Sequence, residues 1–147
     1  MPPYRHTQIG HLSLVAVGLS LVLVAAVLRR GSTAPEDWAV LGIVGMIGLL
    51  FSSLTVELRD SALRIWFGPG FPRWRWPLHE IALARPVRNP WYAGWGIHWV
   101  AGYWVFNVSG WQAIEVVPRT GRKFRIGTDE PHALLTALRN AGVRVEG

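Results

Sequence analysis

Apolar residues fill the first third of the chain almost without interruption, and beyond Leu54 they begin to alternate with polar ones. The first run, Ile9 to Leu28, holds no charged residue apart from a possible proton on His11. Its heart, Leu12 to Leu28, reads LSLVAVGLSLVLVAAVL, and Arg29 and Arg30 end it. A second run extends from Trp38 to Val56 and is closed by Glu57 and Arg59. An apolar helix of about 20 residues is roughly 30 Å long, the thickness of a hydrocarbon core. The pattern therefore predicts a tail at 1–8 and a transmembrane hairpin with spans at 9–28 and 38–56, joined by the polar turn Gly31 to Asp37. A secretory signal is the competing reading, with Arg5 and His6 ahead of the apolar run and small residues near Ala34. Its apolar stretch is too long for that, two arginines follow directly, and a second run comes at once. Burial of both helices in a soluble domain is disfavoured because neither run has a polar face.

A hairpin places both chain ends on one side, and basic residues decide which. Arg29 and Arg30 in the loop are offset by Glu36 and Asp37, whereas most Lys and Arg follow Glu57. The expected location is thus the cell membrane, multi-pass, with both termini cytoplasmic. Trp38 suits an interfacial anchor. Gly42, Gly45 and Gly48 offer a close-packing face, expected to meet Gly18 and Ala25/Ala26. No Asp, Glu, Lys or Arg interrupts either run, which argues against an ion or proton path.

From Leu54 the period is that of strands. Leu54–Leu58, Leu63–Phe67, Phe71–Pro77, Ile81–Val87, Tyr103–Val108, Ala113–Val117 and Lys123–Ile126 are predicted strands, and Asn89–Trp99 a Gly- and aromatic-rich loop. Thr128, Asp129 and Glu130 supply cap oxygens and first-turn acids, and Pro131 suits a first turn, so a helix is predicted over about 130–140. Its stripe of Ala133, Leu134, Ala137 and Leu138 needs a sheet to cover.

The segments Trp95–Trp99, Asn107–Gly110, Ala113–Val116 and Gly121–Pro131 resemble bacterial PH-like proteins, members of the pleckstrin-homology superfold, that carry a two-span hairpin. The resemblance implies an α+β membrane protein. Its domain, 57–147, is expected to be a seven-stranded antiparallel barrel or sandwich with a C-terminal capping helix. It implies a binding module more than an enzyme. Eukaryotic members often bind phosphoinositides, but no phosphate-binding motif is matched residue by residue, and Arg59–Pro69 is not a lysine-rich cradle.

Composition sharpens this picture. The 147 residues are 50% hydrophobic and 16% charged, with a net charge of +6; mean hydropathy is +0.24. The charge suits anionic lipid or the cytoplasmic side of a membrane, and nucleic acid less. Absence of Cys excludes disulfides, thiolate metal sites and a Cys nucleophile. The histidines lack metal-ligand spacing, so neither a metal nor a cofactor is expected. Ser109 lacks a nucleophile elbow and fits a turn.

Two surface features stand out. Arg73-Trp74-Arg75-Trp76 puts both Arg on one strand face and both Trp on the other. The Trp side faces either the core or, with Trp38, Trp91 and Trp95, a membrane interface. A nucleic-acid platform or a protein interface is the weaker reading. Arg119, Arg122, Lys123 and Arg125 cluster near a hairpin tip. The expected function is a non-catalytic, membrane-anchored scaffold on the cytoplasmic face. It would recognise anionic lipid or another membrane protein through Arg73, Arg75, Arg122, Lys123 and Arg125. The alternative is a membrane enzyme or accessory subunit acting on an envelope substrate, which requires His79, His98 and Glu115 to converge.

Overall fold

The computed structural model describes residues 3–31 and 35–147, the side chains of Leu12, Ala16 and Asp37 excepted. Ser32, Thr33 and Ala34 of the expected inter-span turn thus lie outside the described residues. In chain order the elements are β1 (Tyr4–Ile9), α1 (His11–Leu28), α2 (Pro35–Leu50), β2 (Ser53–Arg59), β3 (Ala62–Phe67), β4 (Arg73–Pro77), β5 (Ile81–Arg88), β6 (Gly96–Val100), β7 (Tyr103–Asn107), β8 (Gln112–Pro118), β9 (Phe124–Gly127) and α3 (Pro131–Asn140). Single 3-10 turns occupy Leu78–Glu80 and Trp91–Ala93.

The two long apolar runs are cut short by strands. Ile9 is the last residue of β1, where it pairs with Ser53, and Ser53–Val56 belong to β2. That leaves α1 with 18 residues and α2 with 16. At 1.5 Å per residue they are about 27 and 24 Å long. The first turn of α2 is Pro35-Glu36-Asp37, which shortens its apolar part further. Among the described residues, no helix is long and apolar enough to cross a membrane. The expected two-span hairpin, the multi-pass location and the side assigned to the termini are corrected accordingly. The expected first span had included Ile9 of β1 at its start, and the second Ser53–Val56 of β2 at its end.

The barrel expectation is corrected as well. Among the described residues there are nine strands in two sheets, ordered β1-β2-β3-β4 and β5-β8-β9-β7-β6. The first sheet is antiparallel throughout, but in the second β7 and β9 run parallel. The cause is topological: β9 folds back on β8 and inserts between β8 and β7. Two strands come from segments read as tail and loop, β1 and β6.

The two sheets enclose one core, with Leu54, Val56 and Leu58 of β2 and Leu63, Ile65 and Phe67 of β3 facing Phe106, Ile114, Val116, Phe124 and Ile126. The alternation of β2 and β3 sets this register, and Asp60 and Ser61 close the hairpin with φ of 51° and 54°. Two left-handed residues in a two-residue loop match the twist of the flanking strands. Leu134, Leu135 and Leu138 of α3 complete the core. In α3 the apolar stripe covers β5 and β8. By contrast α1 and α2 pack mainly on each other and stand away from the core. Gly48 is the tight point of their seam, where an added Cβ would overlap the Val17 methyls. Gly18, Gly42 and Gly45 face open space, so of the three α2 glycines only Gly48 packs closely on α1, and its nearest neighbour is Val17, beside Gly18.

Candidate functional site

Most of the exposed large apolar side chains among the described residues lie on the α1/α2 hairpin. On α1, Leu14, Val15, Leu19, Val22, Leu23 and Val27 are exposed, and at 100° per residue they sweep more than half of the circumference. Trp38, Val40, Ile43, Met46, Ile47 and Leu49 do the same on α2. Leu23 is 68% exposed. Isolated exposed apolar residues are ordinary, but a continuous wall on two helices marks an interaction surface.

The root of the hairpin is built into the sheets. Gly10 N–H donates to Ser52 O (2.8 Å) and Gly68 N–H to Ser53 O (2.9 Å). Ser13 Oγ donates to Val108 O (3.4 Å), and Phe51 packs on Phe67 with ring centroids 5.3 Å apart. These contacts bring the β3–β4 and β7–β8 turns to the root. A collar of exposed rings follows: Phe71, Trp91, Tyr92, Trp95 and Trp111. Trp91, on the 3-10 turn, is 80% exposed. Trp95 lies 6.5 Å from Trp111, and Asn89 N–H ties the loop to Trp111 O at 2.7 Å. The His98 ring is bonded to Trp95 O beneath this loop.

The sequence-derived basic residues fall into two groups that do not meet. Arg73 and Arg75 lie on the outer face of the first sheet, in register with Trp66 and Arg64. With Glu57 they line an open groove of about 670 Å³. Trp74 and Trp76 turn the other way. Trp74 sits 4.7 Å from Phe106, and Trp76 stacks on Phe124 at 4.1 Å. These two rings are half-buried and pack against the core, whereas Trp38, Trp91 and Trp95 are exposed.

Arg122, Lys123 and Arg125 belong to the β8–β9 hairpin, whose turn points away from the root. With β8 seven residues long, the offset from the root is roughly 20 Å. Arg122 stands over the Trp99 ring at 4.8 Å. Lys123 and Arg125 face the Tyr103 ring at 5.4 and 4.1 Å. Both also clamp Glu115, whose side chain is fully buried. Arg125 Nε donates to Oε2 (3.0 Å), Lys123 Nζ lies at 3.4 Å, and Arg85 donates to Oε1 through Nε (3.0 Å) and Nη2 (2.5 Å). Burial pushes the Glu115 carboxyl up, but hydrogen bonds from Arg85 and Arg125 and the Lys123 charge outweigh it. The net result lies below the ordinary carboxylate range. The cluster carries three cations on one anion, and it is tied up internally.

Sequence reasoning missed Arg88, the last residue of β5, which brings a cation to the root beside Trp111. It also missed the joint between β1 and α3. There His6 lies 2.6 Å from Asp129 and 3.3 Å from Glu130. Tyr4, beside them, is pushed up to about 12 by burial and by Glu130 and Asp129. Tyr4, Thr7 and Ile9 are residues that favour strands, but the four polar residues Arg5 to Gln8 give this segment no alternation to read.

His79, His98 and Glu115 do not converge. His79 is on the exposed Leu78–Glu80 turn next to Glu80. His98 shares a register row with Glu115 but lies three strand spacings away, roughly 14 Å. No group of three or more His, Asp or Glu able to hold a metal ion is found among the described residues. Comparison with known proteins found no matching family, no matching curated protein and no matching solved structure.

Proposed function

We propose that the chain is a non-catalytic binding module that docks on an anionic lipid surface through the α1/α2 hairpin and its root. The observation that carries this is the apolar wall on both outer sides of the hairpin. A protein partner ordinarily covers one stripe of a helix, whereas acyl chains cover every side at once. The root supports the same reading. Trp and Tyr favour the headgroup level, where Trp91, Tyr92, Trp95 and Trp111 would sit. Arg73 and Arg88 stand at the same end, and each cation near an anionic leaflet contributes about 1 kcal/mol. Docking from one side requires no helix to cross. The PH-like resemblance rests on the sequence segments alone.

Flotation of the full chain tests the proposal. The protein should rise with vesicles of phosphatidylcholine and phosphatidylglycerol, and less with phosphatidylcholine alone. Leu19→Asn with Leu23→Asn should leave most of it in the aqueous layer. A wild-type chain that stays behind with both vesicle types refutes the reading.

A further inference from the structure

Strand β4 lies at one end of the first sheet and, among the described residues, pairs on one side only, with β3. The bonds flanking that pairing run from Phe67 N–H to Pro72 O (3.1 Å) and from Leu78 N–H to Ser61 O (2.9 Å). In an antiparallel ladder, bonded pairs alternate with unbonded ones. Trp74 and Trp76 therefore turn their backbone groups to β3, and Arg73 and Arg75 turn theirs outward. The N–H and C=O groups of the two arginines form an open edge, which is a template for another strand. Other sheet edges are less suited. The C-terminal segment occupies that of β5, with Ala84 N–H bonded to Arg144 O (2.9 Å) and Glu146 N–H to Ala84 O (3.0 Å). His6 and Gln8 tie β1 to the α3 start and the β7–β8 turn. Strand β6 has no Arg, Lys, Asp or Glu to select a partner.

The side chains of β4 define what can add to it. Arg64 takes the nearby carboxylates, Asp60 at 2.9 Å and Glu57 at 3.6 Å. Arg73 and Arg75 are exposed and have no ionic partner among the described residues. On the opposite face Trp74 and Trp76 are half-buried, so part of each ring is left uncovered. Side chains of neighbouring strands meet row by row on the same face. An added strand thus meets Arg73 and Arg75 on one face and Trp74 and Trp76 on the other. A second copy of β4 is a poor occupant, because it would crowd the arginines of both copies onto one face.

We propose that β4 binds an extended segment of a partner protein in which acidic and apolar residues alternate. The segment adds antiparallel, continuing a sheet that is antiparallel throughout. Its acidic side chains lie opposite Arg73 and Arg75, over the groove that Trp66 also lines, and its apolar ones cover Trp74 and Trp76. Backbone bonds supply affinity and the alternate side chains supply specificity. The inference goes beyond lipid docking and does not rest on it: Arg73 serves both, Arg75 this one alone.

Fluorescence anisotropy with the full chain in neutral detergent tests it. The probe is a dye-labelled peptide, Glu-Val-Glu-Val-Glu-Val-Glu, which should bind saturably. The block isomer Glu-Glu-Glu-Glu-Val-Val-Val has the same charge and should bind about tenfold more weakly, since it cannot present one residue type to each face. In antiparallel pairing the glutamate amides bond to β4 and the valine amides point away. N-methylation of the glutamates should therefore weaken binding about tenfold, and N-methylation of the valines far less. Arg75→Glu should also weaken it about tenfold, by turning an attraction across the strands into a repulsion. Arg73→Glu with Arg75→Glu should lose the probe and gain the peptide Lys-Val-Lys-Val-Lys-Val-Lys, a gain that requires a folded edge. Leu19→Asn with Leu23→Asn should abolish vesicle flotation and leave peptide binding unchanged, which separates the two proposals. Absence of saturable binding by the probe overturns the inference. So does equal binding of the block isomer, or a loss no greater for methylated glutamates than for methylated valines; either result reduces Arg73 and Arg75 to a patch that reads charge alone.

Discussion

Replacing Glu115 with Gln removes the one anion among Arg85, Lys123 and Arg125 while keeping the side-chain volume. The amide also turns an NH2 donor toward groups that can only donate. Taking one partner from a buried ion pair costs about 3–5 kcal/mol. Arg85 and Lys123 are 45% and 40% exposed and regain water, so the lower end, about 3 kcal/mol, applies here. In a domain of this size that lowers Tm by about 6–12 °C. Thermal unfolding followed by circular dichroism at pH 7 measures it. Glu115→Met combined with Arg125→Met should recover part of the loss, because the most buried pair becomes apolar while Arg85 and Lys123 keep their contact with water. The pH dependence follows from the same geometry. The folded carboxyl titrates below its unfolded value, so the unfolded chain binds the proton first as pH falls. The Glu115 contribution is fully present above the ordinary carboxylate range and is lost as pH drops through the folded value. Glu115→Gln should lack that part of the acid destabilisation. A Tm within 2 °C of wild type, or an unchanged acid limb, refutes the reasoning.

Other outcomes follow from the packing and the charges. Trp76→Ala should cost about 3 kcal/mol in denaturant unfolding, the lower end for an aromatic truncation, because the half-buried ring stacks on Phe124 of the core. Gly48→Ala should destabilise by about 1–3 kcal/mol, since the new methyl overlaps Val17, a β-branched residue with little rotamer freedom. Arg73→Ala should lower the affinity for phosphatidylglycerol vesicles several-fold at low salt and much less at high salt. Arg122→Ala, stacked on Trp99 away from the root, should leave that affinity unaltered.

Local patterns in the sequence carried much of the second half of the fold. The alternation in Leu63–Phe67 and Phe71–Pro77 predicted β3 and, two residues too long at its start, β4, and Pro131 with the leucine stripe placed α3. Alternation also put Arg73 and Arg75 opposite Trp74 and Trp76, leaving open which side was core. Tertiary partners decided the rest. Ile9 and Ser53–Val56 are apolar enough for a span, and only their pairing across β1 and β2 makes them strand. Gly96–Val100 reads as loop because Gly and aromatics punctuate it, yet β7 provides a ladder for it. Glu115 stood in an apolar run, Ala113 to Val117, which signals a paired charge. Its hydrogen-bond donors Arg125 and Arg85 are 10 and 30 residues away in sequence, on strands whose order no local pattern records. The same holds for the root, where Arg88, Trp111 and His11 come from three separate elements.

Lipid docking by the hairpin is most directly tested by a probe on α1. The chain has no Cys, so Leu23→Cys gives a single labelling site. An environment-sensitive fluorophore there should shift to the blue on anionic vesicles and become shielded from aqueous iodide. The same label at Arg122→Cys should stay accessible. A Leu23 label that remains fully quenched by iodide in the presence of vesicles would contradict the account.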